Sequence, residues 1–297
     1  SHWLLRAAED WLGPIYQELH RELLKRDVLH GDETTLQGLK EPAKSAQSKS
    51  YMWLYRTGGD AEHPIVLYDY RPDRKAKNAE EFLEGFSGYL HADGYQGYHK
   101  LRPDTRVVGW AHARRKFDEA VKSLPKKEQA GCTALEGQAF CTKLFSIEKG
   151  IQDLPFEEKR KQRQGRAKPV LDALFSWAEE KRKVTPPKSA LGKALHYLKE
   201  QRPYLVRYLE DGRLEISNNR AERSIKPFVM GRKNWLFANT PAGARASAVI
   251  YSLMETAKET GLDPYKYLLW ALREAPKLFE TDREWAKKLT PEHCIQH

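Results

Sequence analysis

The sequence predicts an α/β fold, a five-stranded mixed sheet with helices on both faces and a helical insertion. Three observations predict it. Runs rich in β-branched and aromatic residues, separated by turn residues, cluster between positions 28 and 70. Two further short strands then alternate with helix-spaced apolar residues up to about Ser123. From about Leu124 to Ile216 the pattern is helical only.

Residues 3 to 25 read as helix, with Ala8, Trp11, Leu12, Ile15, Leu19 and Leu23 near helical spacing and Gly13-Pro14 as a break or restart. Val28 to Asp32 with its continuation, Tyr51 to Arg56, and Ile65 to Tyr70 read as an antiparallel meander, with Gly58-Gly59 turning between the second and third. Ala79, Phe82, Leu83 and Phe86 share one helix face. A strand from Tyr89 to Ala92, another from Arg106 to Ala111, and a helix from His112 to about Ser123 follow. A right-handed crossover from the third strand can set the fourth beside the first. Asp32 would end the first strand and Asp93 the fourth, which brings two carboxylates together where open sheets bind ligands.

In the helical region Phe140, Leu144, Ile147 and Ile151 form one apolar stripe, and Leu171, Leu174, Phe175 and Ala178 another. Between them, Glu157 to Lys168 carries Lys159, Arg160, Lys161, Arg163, Arg166 and Lys168 and reads as a solvated connector. Thr240-Pro241 starts a helix buried through Ile250, Leu253, Met254 and Ala257 and ended by Gly261; Asp263-Pro264 starts the last. The expected organisation is a helical segment at 1–26 that enters from a longer protein, a core at 27–123, a helical insertion at 124–216, and completion of the core at 217–297.

Lys plus Arg number 51 against 41 Asp plus Glu, a net +10. That excess favours a polyanion, because each phosphate neutralised releases a condensed counterion, although a basic surface that binds nothing stays open. Cys132, Cys141 and Cys294 form no CxxC pair, which argues against a disulfide framework and a structural zinc site. No apolar run reaches the ~18 residues of a membrane span and no secretory segment opens the chain, so a reducing cytoplasmic location is expected, without a membrane partner.

Three segments offer chemistry: His30-Gly31-Asp32-Glu33-Thr34, Asp93-Gly94-Tyr95, and Ser217 to Arg223 with Glu222. Singly each is ordinary: a strand end, a turn dipeptide, and a capping box formed by Asn219 and Glu222. Jointly they fit a two-metal phosphoryl-transfer site, in which carboxylates hold two Mg²⁺ ions ~3.5–4 Å apart across an in-line displacement. Mn²⁺ can substitute. Glu33 alternates onto the opposite face of the strand and stays outside that set.

Those segments belong to a longer series. It comprises Asp32-Glu33-Thr34, Asp93-Gly94-Tyr95 with Gly97-Tyr98, Trp110 to Phe117, Asp211-Gly212-Arg213, Asn218 to Arg223, Gly231 to Phe237, Tyr251-Ser252-Leu253 and Gly261 to Pro264. In this order they resemble the transposases of the insertion-sequence-66 family, a DDE group with a ribonuclease-H-like core. The resemblance implies that core, and an acidic triad of Asp32, Asp93 and Glu222 with separations 93 − 32 = 61 and 222 − 93 = 129. It further implies transposon-end and target DNA as partners, a homo-oligomeric synaptic complex, other proteins encoded by the element, and association with the nucleoid. Departures are Gly31 where alanine is common, Gly109 where cysteine is expected, and Ser217 where aspartate usually precedes the asparagines; the family's N-terminal portion is absent as well.

The DNA-contact candidates are His112, Arg114, Arg115, Lys116, Asn219, Arg223, Arg232, Lys233 and Trp235. Against each stands a plainer role: a structural histidine, ordinary helix-surface charges, a core tryptophan. Two rival functions share the motifs, a structure-specific nuclease and a domesticated DNA-binding protein without activity.

Overall fold

The computed structural model describes residues 2–42, 44–45, 47–92, 95, 97–101, 105–108, 112–235 and 238–294. They fall into two compact units, one of residues 1–90, 96–106 and 219–297, the other of 91–95 and 107–218. Helix α1 (His2–Arg6) continues through a π-helical turn (Ala7–Leu12) into α2 (Gly13–Leu24). The break expected at Gly13-Pro14 is absorbed, because a widened turn accommodates a proline that offers no N–H to the helix ladder.

The sheet begins with β1 (Val28–Gln37), β2 (Lys49–Thr57) and β3 (Val66–Arg71), antiparallel in sequence, with Asp32 opposite Leu54 and Leu54 opposite Tyr68. Asp32 is therefore mid-strand, a correction to its expected place at the strand end. Thr34 and Thr35 are β-branched and suit a pleated backbone, and Leu36 is buried opposite Ser50, so nothing halts the strand at Asp32. Helix α3 (Ala76–Phe82), β4 (Gly88–His91) and β5 (Thr105–Val108) follow, and the strand order is β3-β2-β1-β4-β5. Tyr89 N–H donates to the Asp27 carbonyl at 2.8 Å, and Leu90 lies against Gly31. Neighbours ascend together along both strands, so β4 runs parallel to β1. A Cβ at Gly88 would lie 2.3 Å from the Asp27 oxygen, which makes glycine the residue that can open β4 there.

Both sheet faces are covered. Helix α10 (Asn219–Trp235) buries Ala221, Ile225 and Phe228 on Leu36, Met52 and Leu54. On the other face Tyr55 stacks on Phe82 of α3 at 4.2 Å, and His20 of α2 bonds the Phe82 carbonyl at 2.8 Å. Strand β3 is an edge, and α11 (Pro241–Glu259) seals it. Val66 N–H donates to the Thr256 hydroxyl at 3.0 Å and Tyr68 N–H to Ser252 at 2.7 Å. Side-chain hydroxyls thus occupy donors that an open edge would offer to another chain. Thr240 and Asp263 cap α11 and α12 (Pro264–Phe279), accepting from Gly243 and Lys266 N–H groups; α13 (Trp285–Lys288) follows.

The second unit is helical: α4 (Ala113–Lys122), α5 (Lys126–Gln129), α6 (Thr133–Ile151), α7 (Phe156–Gln162), α8 (Lys168–Val184) and α9 (Ala190–Leu205). Helices α4, α6, α8 and α9 pack pairwise into a ring. The sequence reading grouped His112 to Ser123 with the sheet; in the structure Phe117 of α4 is buried against α6, where a Cβ on Gly137 would lie 2.4 Å from its ring.

The stretch Glu157 to Lys168 is more than a connector, and Arg163 is the correction. It sits in a π-helical turn (Arg163–Ala167) and is 2 % exposed. Its Nε and Nη2 donate to the two Glu148 carboxylate oxygens at 2.9 and 2.7 Å. Its remaining bonds go to the carbonyls of Tyr208, Asp211 and Leu214 at 2.9, 2.8 and 2.7 Å. Every guanidinium donor is used. Among the described residues no helix is long and apolar enough to cross a membrane.

Candidate active site

Asp32 and Glu222 lie in the first unit, both half-buried. Asp93 lies outside the described residues, as do Trp110, Ala111, Leu236 and Phe237.

Backbone alternation fixes which way Asp32 turns. The Val28 carbonyl faces β2, accepting from Gly58 N–H at 3.0 Å, whereas the Asp27 carbonyl faces β4. Successive residues along a strand point their hydrogen-bonding groups to opposite sides, so Glu33 N–H also faces the β4 side. That N–H donates to Asp32 Oδ1 at 2.8 Å. The Asp32 carboxylate is thereby drawn toward the β4 side of β1.

Helical phase fixes Glu222. Ser224 faces β2 and β3: Arg56 Nη1 donates to its hydroxyl at 2.5 Å, and the Tyr68 hydroxyl donates to its carbonyl. Two residues along a helix are about 200° apart, so Glu222 is turned away from the side that Ser224 faces. Glu222 is in the first turn of α10, and among the described residues it has no hydrogen-bond or ion-pair partner. The capping-box reading with Asn219 accordingly finds no bond to support it. No group of three Asp, Glu, His or Cys side chains that could hold a metal ion occurs among the described residues.

Several contacts hold α10 over the strand. Arg56, 3 % exposed, reaches both carboxylate oxygens of Glu259 at 3.1 and 2.9 Å while bonding Ser224, which ties α10 to α11. At the other end Arg232 Nη1 donates to the Thr34 hydroxyl at 3.2 Å and to the Thr35 carbonyl. Beyond β1, Ala238 N–H donates to the Gln37 carbonyl at 2.9 Å and Leu39 N–H to the Ala238 carbonyl at 3.0 Å. Sequence reading offered Arg232 as a DNA contact; its geometry is that of a strap between helix and strand.

Asn219, Arg223 and Lys233 are exposed on α10, and the Trp235 side chain lies outside the described residues. In the second unit, Arg114 and Arg115 are exposed, Lys116 pairs with Glu119 at 3.4 Å, and His112 precedes α4, its carbonyl accepting from Lys116 N–H at 3.0 Å. Glu33 points away from Asp32, as alternation predicts, and is saturated by Arg74 and Tyr98.

A family model described as Transposase IS66 family matches residues 1–246. Relatives from Sinorhizobium fredii (strain NBRC 101917 / NGR234) include y4qI, 32 % identical over 281 residues, covering 87 % of this chain and 51 % of its own length. For y4jD the figures are 32 % over 279 residues, 90 % and 53 %; for y4hP they are 29 % over 275 residues, 86 % and 49 %. All three are described as uncharacterized proteins, and the chain spans about half the length of each. No solved structure matches the chain.

Proposed function

The chain belongs to the IS66 family of transposases, and on that premise we propose that it cuts and joins DNA at transposon ends. A phosphodiester is hydrolysed and the freed 3′-hydroxyl attacks target DNA. What supports this reading is that Asp32 on β1 and Glu222 on the helix packed over the same sheet are both half-buried carboxylates, the second without a partner among the described residues.

Asp93 is the proposed third member. The parallel β4 beside β1, and a helix bearing Glu222 across β1, support a ribonuclease-H-like core. The donor set fits hard divalent cations, which prefer carboxylate oxygen. Two bound Mg²⁺ ions, or Mn²⁺ in their place, would activate the attacking oxygen and neutralise charge on the leaving one. Asp32, Asp93 and Glu222 would hold them. The chain's own work is positional: Glu33 N–H aims Asp32, while Ser224 and Arg232 set the height and phase of α10.

Exposed Asn219, Arg223 and Lys233, with Arg114, Arg115, Lys116 and His112 of the second unit, are proposed to grip phosphates without reading sequence. The working partners would be transposon ends, target DNA, a second copy of the chain in a synaptic complex, and other proteins of the element, in the cytoplasm at the nucleoid. The test is a pair of assays with Mg²⁺ on duplexes carrying the element's ends: nicking of intact ends, and joining of pre-cut ends to a plasmid. Both are expected. Nicking without joining would indicate a nuclease, and DNA binding with neither would indicate a binding protein.

A further inference from the structure

Beneath Asp32, on the opposite sheet face, lies a buried polar cluster whose job is not explained by packing. Glu33 follows Asp32 on β1 and its side chain is only 3 % exposed. Arg74, from the link between β3 and α3, donates its Nε to Glu33 Oε1 at 2.8 Å, and its Nη2 also contacts that oxygen. Tyr98, fully buried, donates its hydroxyl to Oε2 at 2.8 Å. The Tyr98 ring meets Trp53 edge-on at 5.8 Å, and Trp53 is Glu33's cross-strand partner. Burial first, then the nearby Glu33 charge, pushes the Tyr98 phenol well above its ordinary range, so it remains a donor.

A buried charged group of this kind seldom improves stability, since a well-packed apolar residue of similar volume often does as well or better. What the cluster does supply is direction. The Glu33 side chain is gripped from two sides, by Arg74 of the strand–helix link and by Tyr98. Gripping it fixes the rotation of its peptide, and the N–H of that peptide is the donor to Asp32 Oδ1.

We propose that Glu33, held by Tyr98 and Arg74, is a positioning residue that aims the Asp32 carboxylate through its own backbone N–H. The proposal rests on the reading of Asp32 as a metal-holding carboxylate and adds the device that orients it. Supporting groups of this type are worth about 10–100-fold in metal affinity where they have been removed.

The test measures Mn²⁺ affinity of the 297-residue chain by the paramagnetic resonance signal of free Mn²⁺, alongside thermal melting. Tyr98→Phe removes one hydroxyl and no volume, and Glu33→Gln keeps shape while removing charge. The double variant Glu33→Leu with Tyr98→Phe leaves no buried polar orphan on those two side chains and guards against simple misfolding. Asp32→Asn serves as reference. The expected result is Mn²⁺ affinity about tenfold weaker in Tyr98→Phe and weaker still in Glu33→Gln. Melting of Tyr98→Phe and of the double variant should stay within a few degrees of wild type. Wild-type Mn²⁺ affinity in Tyr98→Phe and Glu33→Gln, with Asp32→Asn impaired, would overturn the positioning role alone. Wild-type affinity in Asp32→Asn would overturn both it and the site on which it rests.

Discussion

Two glutamates in this chain sit in opposite circumstances. Glu148, in the helical unit, is met by Arg163 at both oxygens, and that arginine spends its other donors on three carbonyls. Glu222, in the sheet unit, is half-buried and has no partner among the described residues. Both are half-buried. The first is complete within the protein, and completion of that kind holds a turn in place. The second has no such completion among the described residues. Unfinished electrostatics, rather than burial or charge alone, separates a candidate for chemistry from a piece of architecture.

The largest effect that would break this contrast lies at the unfinished site. Asp32→Asn and Glu222→Gln should each reduce Mg²⁺-dependent DNA nicking beyond the ~10–100-fold expected for a merely supporting group. Melting temperature should be unchanged or raised, because a repulsive charge is removed. A variant that nicks at the wild-type rate would show that its carboxylate is not used.

The converse holds for the finished pair. Arg163→Met leaves Glu148 buried and three carbonyls without donors, and should cost roughly 3–5 kcal/mol of stability, read by urea unfolding. Adding Glu148→Leu should recover much of that loss. If Arg163→Met melts like wild type, the clamp contributes no more than a surface pair would.

Much of the sheet unit was legible in the sequence. The meander, the strand at Tyr89, the two capped C-terminal helices and the opposite facing of Asp32 and Glu33 all follow from period and turn chemistry that act within a few residues. The missed features depend on residues far apart in sequence. Arg163 looked like one more charge in a basic run, and only Glu148 and the carbonyls of 208–214 make it a core residue. Arg232 carried the signal of a phosphate ligand, yet it straps α10 to Thr34 and Thr35, nearly two hundred positions away. The expected strand end at Asp32 does not hold, because pairing with β2 carries the strand on to Gln37. Ser252 and Thr256 gave no sign that they seal β3, since a hydroxyl on a helix is usually unremarkable.

A smaller effect concerns pH. Hydrogen bonding to Arg56, with its charge, holds the Glu259 carboxyl below its ordinary 4.5 despite partial burial. A depressed folded-state pKa gives stability that is present above the unfolded value and lost as pH falls through the folded one. Wild type should therefore lose stability faster than Glu259→Gln as pH drops below about 4.5, seen in melting curves across that window. Parallel curves for the two proteins would show that the pair is not maintained in solution.

Smallest is the effect of the charges left on α7. Arg160 and Lys161 pair with Glu157 and Glu158 of their own helix, and Lys159 lies over Phe156. Replacing all three with Gln should lower DNA affinity modestly and reduce the slope of log affinity against log salt by less than the ~0.9 per phosphate expected for each independent contact. A slope reduced by the full amount for three contacts would place this stretch in the DNA interface.

Asp32 and Glu222 are proposed to face one metal-binding point on the same side of β1. Bound Fe²⁺ reduces added hydrogen peroxide to hydroxyl radicals that cut the polypeptide next to the ion, with ascorbate returning Fe³⁺ to Fe²⁺, so replacing Mg²⁺ by Fe²⁺ maps the surroundings of that point on the chain itself. Cuts are expected at both Asp32 and Glu222, suppressed together by excess Mg²⁺ and lost from both positions in Glu222→Gln. Cuts near only one of the two residues, or cuts at Asp32 that persist unchanged in Glu222→Gln, would contradict it.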